Sequence, residues 1–134
     1  MRSKRSTYEI TRRFSVVAIL PGAEAAVAAN YGKIYVADRI CTVLSISEIH
    51  ETLGTDLGAV TLIVERLQGV EVSGAGDALA AAVDLKGANN TVQTPAITGG
   101  AVMILAIGDR LNLIDTGVLT AVAGVCVTVD LEEA

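Results

Sequence analysis

Along residues 7–16 polar and apolar side chains alternate. Thr7, Glu9, Thr11, Arg13 and Ser15 take one set of positions, and Tyr8, Ile10, Phe14 and Val16 take the other, with Arg12 as the exception. A period of two puts each set on its own face of an extended chain, which predicts a half-buried strand. Pro21 and Gly22 break that pattern. The Ala-rich residues 23–30 that follow fit either a helical turn or a covered loop. Residues 33–47 hold Ile34, Val36, Ile40, Val43, Leu44 and Ile46 around a central Asp38 and Arg39, so one long bent strand or two short ones are expected. Residues 48–57 read as a polar loop.

A second strand is predicted over residues 59–67, with Val60, Leu62 and Val64 on one face, Thr61 and Glu65 on the other, and Gly58 and Gly69 at its ends. Ser73, Gly74, Ala75, Gly76 and Asp77 then form a turn by composition. Residues 78–85 suit a short helix or an edge strand. Residues 91–98, 102–107 and 110–115 each have strand length and β-branched content, separated by Gly99–Gly100 and Gly108–Asp109. The last segment is the clearest: Val125, Val127, Val129 and Leu131 alternate with Cys126, Thr128 and Asp130. About eight strands with turns every 8 to 12 residues predict an all-β sandwich, jelly roll or barrel. No amphipathic helix of the length a βαβ unit needs lies between them.

Composition narrows this to one domain, because 134 residues support a single sizeable core. Apolar residues make up 51% and charged residues 19%, with mean hydropathy +0.54, which excludes a disordered chain. The excess is aliphatic: there is no Trp, one Phe and three Tyr. So little polar material must leave apolar surface for partners to cover. It does not build a membrane span, since the long uncharged run between Lys86 and Asp109 contains Asn89, Asn90, Gln93, Pro95, Gly99 and Gly100. No apolar segment of a signal peptide follows the N-terminal charges, so a non-secreted protein is expected.

Charge divides the chain in two. Residues 1–13 hold five basic residues against Glu9, net +4, while residues 14–134 hold five bases and fourteen acids, net −9. The division predicts a basic arm over residues 1–13 and a β-sandwich over residues 14–134. An acidic body would repel a nucleic-acid duplex, so the arm's expected partner is an acidic protein surface. A solvated terminus without a partner is the alternative.

Candidate chemistry is sparse. His50, the single histidine, stands near Glu48 and Glu51 and is expected to be a solvated loop residue rather than a ligand or general base. Cys41 and Cys126 have no CxxC or Cys/His partner nearby and are expected to be packed free thiols, a single bridge being the alternative. Gly74, Ala75 and Gly76 do not extend to a dinucleotide fingerprint and read as a turn. Asp77 suits a helix cap ahead of Ala78, and Asp109 suits a turn. No DxDxDG calcium loop occurs. Tyr8, Tyr31, Tyr35 and Phe14 are too few to stack sugars or unpaired bases. A non-enzymatic binding or structural module without cofactor or metal is therefore expected.

Three stretches carry a resemblance: ALAAAVDLKGANNTVQ at residues 78–93, IGDRLNL at 107–113 and TGVLTAVAGVCVTVDL at 116–131. In order and spacing they look like the small decoration, or cement, proteins of tailed bacteriophages; residues 37–67 agree more loosely, and the first 20 residues match nothing in that group. The resemblance implies a jelly-roll-like sandwich of about eight antiparallel strands on the outer surface of a virion, made in the host cytoplasm. It also implies the major capsid protein as partner and a homo-oligomer, with a dimer favoured and a trimer possible. Neither nucleic acid nor membrane is expected as a partner. Arg2, Lys4, Arg5, Arg12 and Arg13 are the expected capsid contacts. Cys126 and Thr128, with Val102 and Ile104 of the aliphatic 102–107 run, are the expected self-contacts. The alternative is a head-fibre or tail-associated sandwich that binds a host glycan or other ligand.

Overall fold

The computed structural model describes residues 12–20 and 33–134. Among them nine strands form two antiparallel sheets. Strands β1 (Arg13–Leu20), β9 (Val125–Glu133), β3 (Cys41–Ile49) and β7 (Ile104–Leu105) make the first sheet in the order β1-β9-β3-β7. Strands β2 (Lys33–Val36), β8 (Arg110–Thr116), β4 (Thr61–Leu67) and β5 (Asp77–Ala78) make the second in the order β2-β8-β4-β5. Strand β6 (Val83–Asp84) pairs with β4 beside β5, so the two short strands share one position and eight strand positions result. Each sheet takes strands from both ends of the chain, the doubly wrapped connection of a jelly roll.

The alternation in sequence is what fixes each face. In β9 every odd residue from Val125 to Leu131 is buried, and the residues between them are half-buried on the outer face. In β1 the inward set of Phe14 and Val16 continues through Ala18 and Leu20, while Arg13, Ser15, Val17 and Ile19 point outward. Leu62 and Val64 of β4 meet Leu111 and Leu113 of β8 in the same core. Each such fully buried aliphatic contributes about 1.5–3 kcal/mol. Outside the core, Ser15 Oγ and Ser45 Oγ both donate to the Asp130 carboxylate, at 2.5 and 3.0 Å, tying β1, β9 and β3 together on the outer face.

The structure decides some open expectations and changes others. Residues 33–47 are two strands in different sheets, because the turn at Asp38 and Arg39 carries the chain from one layer to the other. Glu48 and Ile49 belong to β3 and not to a loop, and the bulge between Val43 and Ser45 resets which of its residues face inward. Residues 78–85 hold no helix, so Asp77 is no cap; it pairs through Oδ2 with Arg66 Nη2 at 2.7 Å. Residues 91–98 contribute isolated bridges at Gln93 and Ile97. Residues 102–107 are split, since a one-turn 3-10 helix, Gly100–Met103, precedes the two-residue β7. The arm lies outside the described residues apart from Arg12 and Arg13. Arg13 opens β1, and the Arg12 carbonyl accepts from Glu133 N–H at 2.9 Å.

Candidate functional site

Strand register defines the two ends of the sandwich. At one end lie the start of β1, the end of β9, the start of β3, the end of β2 and the start of β8. Basic and acidic side chains meet there: Arg12 Nη1 is 2.8 Å from Glu133 Oε1, and Arg39 bridges Asp38 Oδ1 at 2.9 Å and Glu133 Oε2 at 3.4 Å. The guanidinium of Arg39 also sits 5.1 Å from the centre of the Phe14 ring. Its hydrogen bond holds the Asp38 carboxyl below its ordinary range. Partial burial, then the nearby Cys41 and Asp38, raise the Tyr35 phenol.

The same end exposes Val36, Ile40, Val70, Val72, Ile104 and Ile107, with Val70 98% accessible. The loop bearing Val70 and Val72 is fixed by Arg110, which donates to the carbonyls of Gly69 and Glu71 at 2.7 and 3.0 Å. Arg66 ties the adjoining segment of the other sheet by donating to the carbonyls of Ala101 and Ile104 at 3.1 and 3.0 Å.

The residues singled out from sequence fall in separate places. Arg2, Lys4 and Arg5 lie outside the described residues. Arg12 and Arg13 are exposed at the end just described. Cys126 and Thr128 sit on the outer face of the first sheet, opposite Ile19 and Val17 on one side and Ile49 and Ser47 on the other. Ile104 is exposed on β7, but Val102 packs against the core, so the four expected self-contacts do not make one patch. Cys41 and Cys126 are free, at opposite ends of the first sheet. Burial raises the Cys41 thiol above its ordinary value.

Sequence reasoning missed two buried polar clusters. Glu65, 1% exposed, lies on the outer face of the second sheet beneath residues 68–77. Its carboxylate accepts from Gly74 N–H at 2.8 Å, Gly76 N–H at 3.1 Å and Asn112 Nδ2 at 2.7 Å. Gly76 is required there, because a Cβ would lie 2.2 Å from the Arg66 carbonyl oxygen; Gly74 has φ +89°, which side chains rarely tolerate.

The second cluster overturns the solvated reading of His50, which is fully buried beside Glu48, itself 2% exposed. Both point inward with Ile46 by the period of β3. His50 Nδ1 is 2.8 Å from Glu48 Oε2, and Nε2 is 2.8 Å from the Gly87 carbonyl oxygen. Gln93 Nε2 donates to Glu48 Oε1 at 2.9 Å and to the Asp84 carbonyl at 2.8 Å. The only sequence signal was the alternation of Ile46, Glu48 and His50, visible once the bulge is known.

A cavity of about 10 Å³ lies between Ile46, Glu48, Leu62, Val64 and Val127, space for about one water. Among the described residues no three His, Cys, Asp or Glu side chains converge as metal ligands, and no helix is long and apolar enough to cross a membrane. Comparison with known protein families, curated proteins and solved structures found no match.

Proposed function

We propose that this jelly roll is a structural protein of a virion, a decoration protein that binds the outer surface of a capsid shell and stabilises contacts between capsomers. The observation that carries the reading is the end of the sandwich where Arg12 and Arg13 stand. The basic segment enters the sandwich at this end, which also carries six exposed aliphatic side chains. Acidic protein surface attracts the arm, and burial of the aliphatics supplies short-range affinity. The proposed work is thermodynamic. Many equivalent copies that bind only the assembled shell stabilise it by mass action, and no reacting group is needed.

The test uses shells of the particle whose genome encodes the chain, assembled without it. Added protein should bind in a fixed ratio to the capsid subunits and raise the melting temperature of the shell. No binding at micromolar concentration overturns the reading; retention on a glycan array would then favour the ligand-binding sandwich.

A further inference from the structure

We infer that Glu48 and His50 form a proton-dependent latch holding residues 84–93 against the end of β3. The inference rests on hydrogen-bond stoichiometry and is independent of the proposed function. A carbonyl oxygen only accepts, so the contact of His50 Nε2 with Gly87 O requires a hydrogen on Nε2. The contact of Nδ1 with Glu48 Oε2 then requires a second proton between those two atoms. Either imidazolium faces carboxylate or neutral imidazole faces carboxylic acid. With that proton removed, two lone pairs would face each other at 2.8 Å inside the protein.

The latch is where the segment meets β3; Leu85 is tied separately, donating to the Val60 carbonyl and accepting from Gly54 N–H, both at 2.8 Å. Asn90 N–H donates to the His50 carbonyl at 2.7 Å, and Glu48 and Gln93 exchange backbone hydrogen bonds at 2.9 and 2.7 Å. The other charged groups near it are engaged elsewhere. Asp84 Oδ1 accepts from the Lys86 backbone, Lys86 Nζ donates to the carbonyls of Asp56 and Gly58, and Glu51 is exposed. None of them supplies a proton to the pair.

Closed, the pair holds two protons. Free in water, a histidine and a glutamate together hold three below about pH 4.3, two between about 4.3 and 6.5, and one above about 6.5. Closure therefore takes up one proton above about pH 6.5 and releases one below about 4.3. By linkage the latch is strongest between those values and loses strength toward either side.

Glu48→Gln separates this reading from a merely structural one. A glutamine amide can donate to the Nδ1 lone pair of a neutral His50 while its carbonyl still accepts from Gln93, which satisfies every contact without the extra proton. Amide exchange protection factors of Asn90 and Gln93, measured on the full chain from pH 5 to 9, read the opening equilibrium. In the parent chain opening should rise with pH above about 6.5; in Glu48→Gln it should be flat over that range. Parallel pH profiles for the two proteins overturn the latch, as does a flat profile in the parent. If Glu48→Gln does not fold, the rise or flatness of the parent profile still decides.

Discussion

Glu48 and Glu65 make a natural pair for comparison. Both are buried on strands, one in each sheet, and both clamp an irregular segment: residues 84–93 in one case, residues 68–77 in the other. Their donors differ. Glu65 is held by two glycine N–H groups and an asparagine amide, none of which titrates at ordinary pH. Glu48 is held by a glutamine amide and a histidine ring. Equal burial of the same residue type thus gives one clamp whose donors do not titrate and one whose donor does. The donor's chemistry, more than the depth of the carboxylate, sets the response.

The sharpest test of this contrast removes each clamp in turn. Glu65→Ala strands three donors and should cost about 4 kcal/mol in urea unfolding, by the same amount at pH 5.5 and 8.5. His50→Ala should cost about 3 kcal/mol at pH 5.5 because Glu48 is left buried without its partner. That difference should be smaller at pH 8.5 than at pH 5.5, as the parent loses its own latch. An equal cost at both pH values would remove the distinction between the clamps. Gly76→Ala, which pushes a methyl group against the Arg66 carbonyl, should cost about 2 kcal/mol and leave the 84–93 segment undisturbed in exchange measurements.

Smaller effects lie outside both clamps. Deleting residues 1–11 while keeping Arg12 should shift the melting temperature by less than about 1 °C, yet weaken shell binding most at low salt. A truncated protein that binds equally well would exclude the arm as a contact. Iodoacetamide at pH 8 should label one thiol per folded chain, Cys126, because burial both shields Cys41 and keeps its thiol protonated. Labelling of two would mean that the end of the first sheet near Cys41 opens readily.

The strands of strict alternation were legible from sequence. Val125 to Leu131 and Leu62 to Val64 show their buried faces directly, because burial on one side of a sheet imposes period two. The connections were less so. Ser73 to Asp77 reads as a turn whether or not anything lies beneath it, and only the tertiary approach of Glu65 explains why its N–H groups converge. The turn is an anion cradle after all, occupied by the protein's own side chain. A histidine between two glutamates looks solvated in sequence, whereas the bulge between Val43 and Ser45 turns Glu48 and His50 into the interior. A one-residue shift of register is decided by packing and leaves no mark in composition. Residues 102–107 are apolar throughout, so their sequence does not say which face outward; the 3-10 turn packs Val102 against the core and buries Met103, and Ile104 is left outside.

The position of β9 has a bearing on how the molecule is made. It lies between β1 and β3, so the first sheet is held together by the last strand described, and β1 finds its neighbour more than a hundred residues along the chain. During synthesis the early strands must wait, with their aliphatic faces uncovered, until that segment emerges. Folding should be slow for a chain of this size, on the order of milliseconds to seconds. The interval before β9 docks is when the protein is most exposed to aggregation.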